Sequence, residues 1–258
     1  MTTATSFAKL LLAHLGIDVQ AIETSNEERA DFLARIGDAV TLVEEKTKLE
    51  DPGAEAVRQE ALREGKVHPT HIPIKPDNRL SGINRKASKQ LASSASTFAH
   101  DFRLVWFTAT GNGCLGKQQQ FIATIYGTSG IVELDNSQYR ACYFFRNSDF
   151  FRFRENLDGA VAAYSDGKEL SATLCLNPLS PRYVEFKASP FVKAFGTAVR
   201  DPVTDEKEGR AFIVDRDIDR KNQNSVLEFL QQKYSTKPLM SMDMGYSSIS
   251  VQVSKQDG

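Results

Sequence analysis

The chain has 258 residues, of which 41% are hydrophobic and 25% are charged, and its formal net charge is −1. A chain of this length can bury a sizeable core, and the composition is that of an ordinary globular protein. The sequence shows neither a long apolar run nor a basic N-terminus followed by an apolar stretch, which predicts a cytoplasmic protein without a membrane partner. The near-neutral charge excludes a uniformly basic surface, so any nucleic-acid contact has to be local.

The first predicted elements are a helix over 6–15 and then a β-hairpin that carries charged residues. Within 30–48, a Gly-Asp turn separates two apolar stretches, which is typical of a hairpin. Because side chains alternate along a strand, we expect Glu44 and Lys46 to project to one face of the second strand. Asp31, on the first strand of the hairpin, can then lie beside them.

Asp31 followed by Glu44-x-Lys46 resembles the active-site core of the PD-(D/E)XK nuclease superfamily, in which a hairpin supplies Asp and then Glu-x-Lys. Ala30 stands where the superfamily usually has proline. The resemblance covers about residues 20–110. It implies an α/β fold with a restriction-endonuclease-like mixed β-sheet core flanked by helices, followed by a C-terminal α/β extension.

The resemblance also implies a metal-dependent nuclease that acts on nucleic acid, DNA in the first instance, with Mg²⁺ or Mn²⁺ as cofactor. Asp31 and Glu44 match the metal-binding acids, and Lys46 matches the lysine that orients or polarises the attacking water. Glu45 contributes a backbone carbonyl or packs away from the site. Because the first helix carries no acid, the nearest candidates for a further metal ligand are Glu23, Glu27 and Glu28, of which we select Glu28. Hard divalent cations prefer oxygen ligands and lower the pKa of bound water, so two carboxylates suit this chemistry. Cutting both strands of a duplex would favour a homodimer.

A predicted amphipathic helix over 82–98 and a buried strand over 103–108 follow the hairpin, in the order of the nuclease core. The helix carries the Ala-x-x-Gln-Leu pattern found in members of that superfamily. The resemblance places Arg85, Lys89 and Gln90 near the site, where they would contact phosphate or the attacking water. A solvated helix face is the alternative for the two basic residues. A local basic surface could be supplied by Lys46, Lys48, Arg79, Arg85, Lys86 and Lys89.

An insertion at about 49–81 separates the Glu-x-Lys strand from that helix. It combines a charged helical stretch with a proline-rich segment around His68, which we assign to a surface loop. A substrate-contacting flap and a decorative excursion are both open interpretations of this insertion. We therefore expect a nuclease core over 1–135 that includes the insertion. The α/β extension over 136–258 is then either appended or continuous with the same domain.

The second half of the chain alternates predicted strands and helices, which indicates an α/β sheet with mixed pairing. The predicted strands are 131–134, 142–146, 172–177, 210–214 and a closing edge strand in 240–253; the predicted helices are 149–164, 181–195 and 222–234. The three cysteines are odd in number and lie among apolar residues, which predicts buried free thiols.

The segment Gly111–Lys117 gives a second functional hypothesis. It has the Gly-x4-Gly-Lys spacing of a phosphate-cradling loop between a strand and a helix, and so predicts a nucleotide-binding module. Gln118 disfavours this hypothesis, because a Ser or Thr hydroxyl would bind Mg²⁺ at that position. A third hypothesis is a non-catalytic nucleic-acid-binding or interaction protein that keeps a nuclease-like fold, and the near-neutral charge favours it.

Overall fold

The computed structural model of the protein describes residues 6–23, 29–236, 238–243 and 245–251, and in this part the fold is mixed α/β. The helices are α1 (Phe7–His14), α2 (Pro52–Arg63), α3 (Asn78–Ala95), α4 (Cys114–Tyr126), α5 (Asp149–Arg152), α6 (Tyr183–Ala188), α7 (Pro190–Ala194), α8 (Pro202–Lys207) and α9 (Gln223–Tyr234). The strands are β1 (Asp18–Ala21), β2 (Phe32–Ile36), β3 (Ala39–Lys48), β4 (His68–Pro73), β5 (Phe102–Thr110), β6 (Ser129–Glu133), β7 (Tyr139–Tyr143), β8 (Gly159–Ser165), β9 (Leu170–Leu176), β10 (Val199–Arg200), β11 (Ala211–Ile213), β12 (Leu239–Ser241) and β13 (Tyr246–Val251).

The main sheet of the described chain has seven strands in the order β1-β2-β3-β5-β8-β9-β10. The first three form an antiparallel meander. Strand β5 then pairs parallel to β3, and β8 pairs parallel to β5. Strand β9 returns antiparallel to β8, and β10 lies parallel to β9. Strands from both halves of the chain therefore belong to one continuous mixed sheet.

Helices cover both faces of this sheet, because the central strands are apolar on both sides. On one face, Leu42, Val105 and Phe107 belong to a hydrophobic cluster that includes Leu91 of α3 and Phe121 of α4. On the other face, a second cluster joins the sheet to α1, α6 and α7; it includes Leu12, Val43, Leu104, Trp106, Phe186 and Phe191. We call the face that carries α3 and α4 the α3 face.

Helix α3 forms where its amphipathic sequence predicts a helix. The side chain of Asp77 caps it by accepting hydrogen bonds from the backbone N–H groups of Arg79 and Leu80. Ala87 and Leu91 are fully buried against the sheet, whereas Gln90, beside Leu91, is only partly buried. The helix therefore carries Gln90 toward the edge of the interface with β3.

Two smaller sheets complete the described fold. Strands β11-β7-β6-β12 form one of them, and its buried Ile131 and Phe212 share the hydrophobic cluster of α4. The other sheet pairs β4 antiparallel with β13. The proline-rich segment around His68, which we had assigned to a surface loop, is therefore a strand. The predicted strand in 240–253 is two strands, and residues 252 and 253 lie outside the described residues.

The predicted helix over 149–164 is wrong. Only Asp149–Arg152 is helical, and Gly159–Ser165 forms the central strand β8. The alanines of this segment favour a helix by propensity, but burial on both faces between β5 and β9 overrides that preference. Gly159 also has to be glycine there, since a Cβ atom would lie 2.9 Å from the carbonyl oxygen of Cys175.

The other predicted elements of the second half are confirmed with shifted ends. The predicted helix over 181–195 is divided into α6 and α7 at Ser189, which caps the second of them. The strand predicted over 142–146 ends at Tyr143, because Phe144 has a positive φ of 59°. Cys114, Cys142 and Cys175 are buried free thiols, as predicted.

Phe107 of β5 lies on the α3 face, and its substitution tests the packing of that face. It is fully buried, stacks on Phe121 with ring centroids 4.3 Å apart, and is the β5 partner of Lys46. We expect Phe107→Ala to lower the free energy of unfolding by about 3–5 kcal/mol in urea titrations. Leu134→Ala, at a side chain that is 55% exposed, is the control and should change it by less than about 0.5 kcal/mol. Equal losses in the two variants would contradict this packing.

Candidate functional site

The site is centred on Glu44, a fully buried acid in the middle of β3. Its side chain points to the α3 face, and apart from the ammonium group of Lys46 neither carboxylate oxygen has a hydrogen-bond donor in the described chain. Its nearest cation is the ammonium group of Lys46, which forms an ion pair with Oε1. A buried carboxylate is costly unless a cation or a proton neutralises it, and here one partly exposed lysine serves two neighbouring acids, Glu44 and Asp31.

Burial raises the pKa of Glu44 from 4.5 to about 7. The bond to Lys46 lowers the pKa and offsets part of this effect, while the adjacent carboxylate of Asp31 raises it further. The contribution of Asp31 shows that the two acids share one site, since like charges at close range favour the protonated form.

Asp31 stands just before β2 and is exposed, in contrast to Glu44. Its backbone N–H donates to the carbonyl oxygen of Val43 at 3.1 Å. Its Oδ2 atom accepts a hydrogen bond from the backbone N–H of Glu45 at 2.7 Å. Both bonds tie Asp31 to β3, so its carboxylate is fixed beside Glu44 and remains open to solvent.

Gln90 of α3 holds the lysine of the site. The ammonium group of Lys46 donates to Oε1 of Gln90 at 3.1 Å, and Nε2 of Gln90 donates to the carbonyl oxygen of Arg29 at 3.2 Å. The Lys46 side chain is 30% exposed, so it can still reach a ligand. The structure therefore brings Asp31, Glu44, Lys46 and Gln90 together, as the hairpin pattern predicts for the first three and the resemblance implies for Gln90.

Glu45 points to the opposite face, as strand alternation requires. Its carboxylate accepts hydrogen bonds from the hydroxyl of Ser6 and, at 3.0 Å, from the backbone N–H of Ala8. These are donors at the N-terminus of α1, where a negative charge is stabilising. Its side chain therefore anchors the first helix and lies away from the site.

Two further predicted residues, Arg85 and Lys89, are not part of this cluster either. Arg85 and Lys89 are exposed on α3, and within the described chain neither side chain forms a hydrogen bond or an ion pair. Glu28 lies outside the described residues. The two basic residues fit the solvated helix face that we considered as their alternative.

Asp31 and Glu44 fit a hard divalent cation. The observation that supports the fit is the buried Glu44 carboxylate, whose oxygens have no hydrogen-bond donor in the described chain other than Lys46. The described residues contain no group of three or more His, Cys, Asp or Glu side chains placed to hold a metal ion. Two carboxylates are nevertheless sufficient for Mg²⁺, because this ion usually keeps several waters and also takes substrate oxygens.

The Gly111–Lys117 segment differs from a nucleotide loop. Helix α4 begins at Cys114, so the glycine and lysine that end the motif lie inside the helix. The side chain of Gln118 is buried and donates to a backbone carbonyl of β8 at 2.8 Å. A carboxylate of the chain itself, that of Glu50, accepts the backbone N–H of Asn112 at 3.2 Å. This geometry supports the nucleotide-binding hypothesis less well than it supports the cluster around Glu44.

Comparison with known proteins identifies no relative. No protein-family model matches the chain, and neither a curated protein nor a solved structure matches it. Among the described residues, every helix is too short or too polar to cross a membrane. The functional interpretation therefore depends on the residues of the site and their geometry.

The raised pKa of Glu44 predicts a pH dependence of stability in the metal-free protein. Below about pH 4.5 the carboxyl is protonated in both states, and above about pH 7 it is ionised in both. Between these values the unfolded state binds fewer protons, so the free energy of unfolding falls as pH rises. We expect Glu44→Gln to lack this fall, which corresponds to about 3 kcal/mol. Urea titrations in EDTA across this range measure it, and a pH-independent difference between the two proteins would contradict the assignment.

Proposed function

We propose that this protein is a metal-dependent nuclease that hydrolyses phosphodiester bonds in nucleic acid, DNA in the first instance, with Mg²⁺ or Mn²⁺ as cofactor. The observation that carries the proposal is the buried Glu44 carboxylate, flanked by the exposed carboxylate of Asp31 and the ammonium of Lys46. A structural site gains little from burying an acid whose single cationic partner is a partly exposed lysine. In a site that binds a divalent cation, by contrast, the buried Glu44 carboxylate is an effective ligand, because its charge is poorly solvated before the cation binds.

The order of the elements supports a restriction-endonuclease-like core. A helix precedes the antiparallel meander β1-β2-β3, and α3 then leads to β5, which pairs parallel to β3. A hairpin that supplies Asp31 and then Glu44 and Lys46, followed by a helix and a strand, is the arrangement that the resemblance to the PD-(D/E)XK superfamily implies. Strand β4 and helix α2 interrupt this order as the insertion.

Each residue of the cluster has a distinct role in this proposal. Asp31 and Glu44 would hold the cation through carboxylate oxygens. A cation bound there supplies an activated water and offsets the charge that develops on the scissile phosphate. Lys46 would donate a hydrogen bond to the attacking water or to a phosphate oxygen, where a cationic donor stabilises the transition state. Gln90 is a positioning residue, because it acts by holding the ammonium group of Lys46.

Cleavage assays test the proposal directly. We expect the wild type to cleave plasmid, single-stranded DNA or RNA with Mg²⁺ or Mn²⁺ and to be inactive in EDTA. Lys46→Ala should lower the rate by about 100-fold or more, because it removes a donor to the transition state. Lys168→Ala, in the exposed turn between β8 and β9, is the matched control and should retain the wild-type rate. Wild-type activity in Lys46→Ala would overturn the mechanism.

Metal binding can be measured independently of cleavage. We expect saturating Mn²⁺ or Mg²⁺ to raise the melting temperature of the wild type, since a ligand present at about 100 times its Kd stabilises the folded state by about 2.7 kcal/mol. Asp31→Asn should melt at the same temperature with and without the cation. Asp38→Asn, in the turn between β2 and β3, is the matched control and should keep the full response. An identical response in Asp31→Asn would remove Asp31 from the cation site.

The competing proposal is a nucleic-acid-binding or interaction protein that keeps the nuclease-like fold without catalysis. The net charge of −1 favours it. This alternative would be favoured if no substrate were cleaved and if the cation did not raise the melting temperature. Cleavage of both strands of a duplex would instead call for two copies of the site and therefore for a homodimer.

A further inference from the structure

Two lysines besides Lys46 lie on the same face of the sheet as the proposed cleavage site. Strand β3 continues past Lys46, so the side chain of Lys48 projects to the α3 face about 7 Å further along the strand. Lys48 lies opposite Ala109, near the end of β5, and the next helix, α4, carries Lys117 in its first turns. Lys46, Lys48 and Lys117 therefore follow one another from the site toward the start of α4.

The chain after β3 adjoins the start of α4, because the carboxylate of Glu50, just after Lys48, accepts the backbone N–H of Asn112, just before α4; Lys48 and Lys117 therefore lie in the same region. Burial lowers the pKa of Lys117, the carboxylate of Glu50 raises it in part, and the positive charge of Lys48 lowers it further. Both side chains are partly buried, and within the described residues neither forms an ion pair or a hydrogen bond. Two partly buried like charges repel each other, so an anion between them would be stabilised.

Glu50, which follows Lys48 in the sequence, is an anion close to Lys117. Its carboxylate forms an ion pair with Arg58 of α2, and the side chains are 15% and 12% exposed. It also accepts the backbone N–H of Asn112. The turn admits this carboxylate only because residue 111 is glycine, since a Cβ atom there would lie 2.5 Å from Oε2 of Glu50. The chain thus places the carboxylate of Glu50 close to Lys117, and Arg58 of the insertion holds it there through an ion pair.

We propose that Lys48 and Lys117 form a second phosphate subsite, which binds a phosphate of the nucleic-acid strand next to the scissile one. The inference rests on the proposed function for the identity of its ligand. A phosphodiester group carries one negative charge, as Glu50 does, so it can replace that carboxylate as the neutralising anion of the lysine pair. Lysines bind phosphate as point charges, and a row of them on one face suits a repeating phosphate backbone.

The subsite also gives the insertion a role in regulation. Glu50 competes with the incoming phosphate, and Arg58 holds it in the competing position. Removing the negative charge of Glu50 should therefore strengthen nucleic-acid binding, whereas removing either lysine should weaken it. The opposite signs of these effects distinguish competition at a phosphate subsite from a structural role for the three residues.

Binding is measured by fluorescence anisotropy with a labelled single-stranded DNA oligonucleotide in EDTA, which prevents cleavage. We expect Lys48→Gln and Lys117→Gln to weaken binding roughly tenfold and to reduce the slope of log K against log salt by about 0.7, measured between about 50 and 200 mM salt. Glu50→Gln should strengthen binding several-fold. Lys117→Arg should keep the wild-type slope, and Lys168→Gln is the matched surface control. Melting curves identify any variant that fails to fold, in which case the strand variant Lys48→Gln decides.

The same variants are then assayed for cleavage with Mg²⁺, which separates this inference from the proposed function. If Lys46→Ala abolishes cleavage while both lysine variants bind and cleave like Lys168→Gln, the subsite is overturned and the nuclease assignment stands. If no protein cleaves but the lysine variants lose affinity and salt slope, the subsite stands and the nuclease assignment fails. Weaker binding by Glu50→Gln, or no salt-dependent binding by the wild type, would also overturn the subsite.

Discussion

A carboxylate that is fully buried on one face of a β-sheet has to be neutralised by a proton, a lysine or a metal ion. The residues around Glu44 meet this requirement. Lys46 supplies one positive charge from the same strand, and Gln90 holds that charge in place from α3. Asp31 adds a second negative charge at the solvent-exposed end of the site. The cluster consequently carries two acids and one base, and is balanced only when a proton or a cation joins it. The pKa of Glu44 is raised chiefly by its burial and in part by the neighbouring carboxylate of Asp31.

The topology of the sheet explains how one strand can serve both the site and the core. Alternation sends Glu44, Lys46 and Lys48 to the α3 face, while Glu45 turns to the other face and anchors α1. The parallel pairing of β3 with β5 then sets the start of α4 at the same edge of the sheet. Residues of the β2–β3 hairpin, of α3 and of α4 therefore lie on the same face of the sheet.

The sequence was informative wherever local pattern and burial agree. The hairpin, α3 and β5 follow from turn chemistry and periodicity, and strand alternation placed Glu44 beside Lys46 and turned Glu45 away. The contact of Gln90 with Lys46 came from the resemblance, because spacing alone cannot align a helix with a strand. The strand at Gly159–Ser165 could not be recognised, since an alanine-rich segment predicts a helix as long as its burial on both faces is unknown. Glu50 and Arg58 were missed for a different reason: their meeting with the glycine turn at Gly111 depends on how the insertion folds back onto the sheet.

The continuity of the main sheet has a consequence for how the chain can be divided. Strand β5 lies in the middle of the sheet, between β3 and β8, and its residues from Leu104 to Ala109 are buried. A fragment that ended near residue 135 would leave the β8 side of this apolar strand without a hydrogen-bonding partner. Unpaired edges of that kind recruit strands from other chains and lead to aggregation. The cluster around Glu44 thus depends on a sheet that strands from the second half of the chain complete, and we expect a fragment that contains Glu44 to fold alone only if it extends at least through β9.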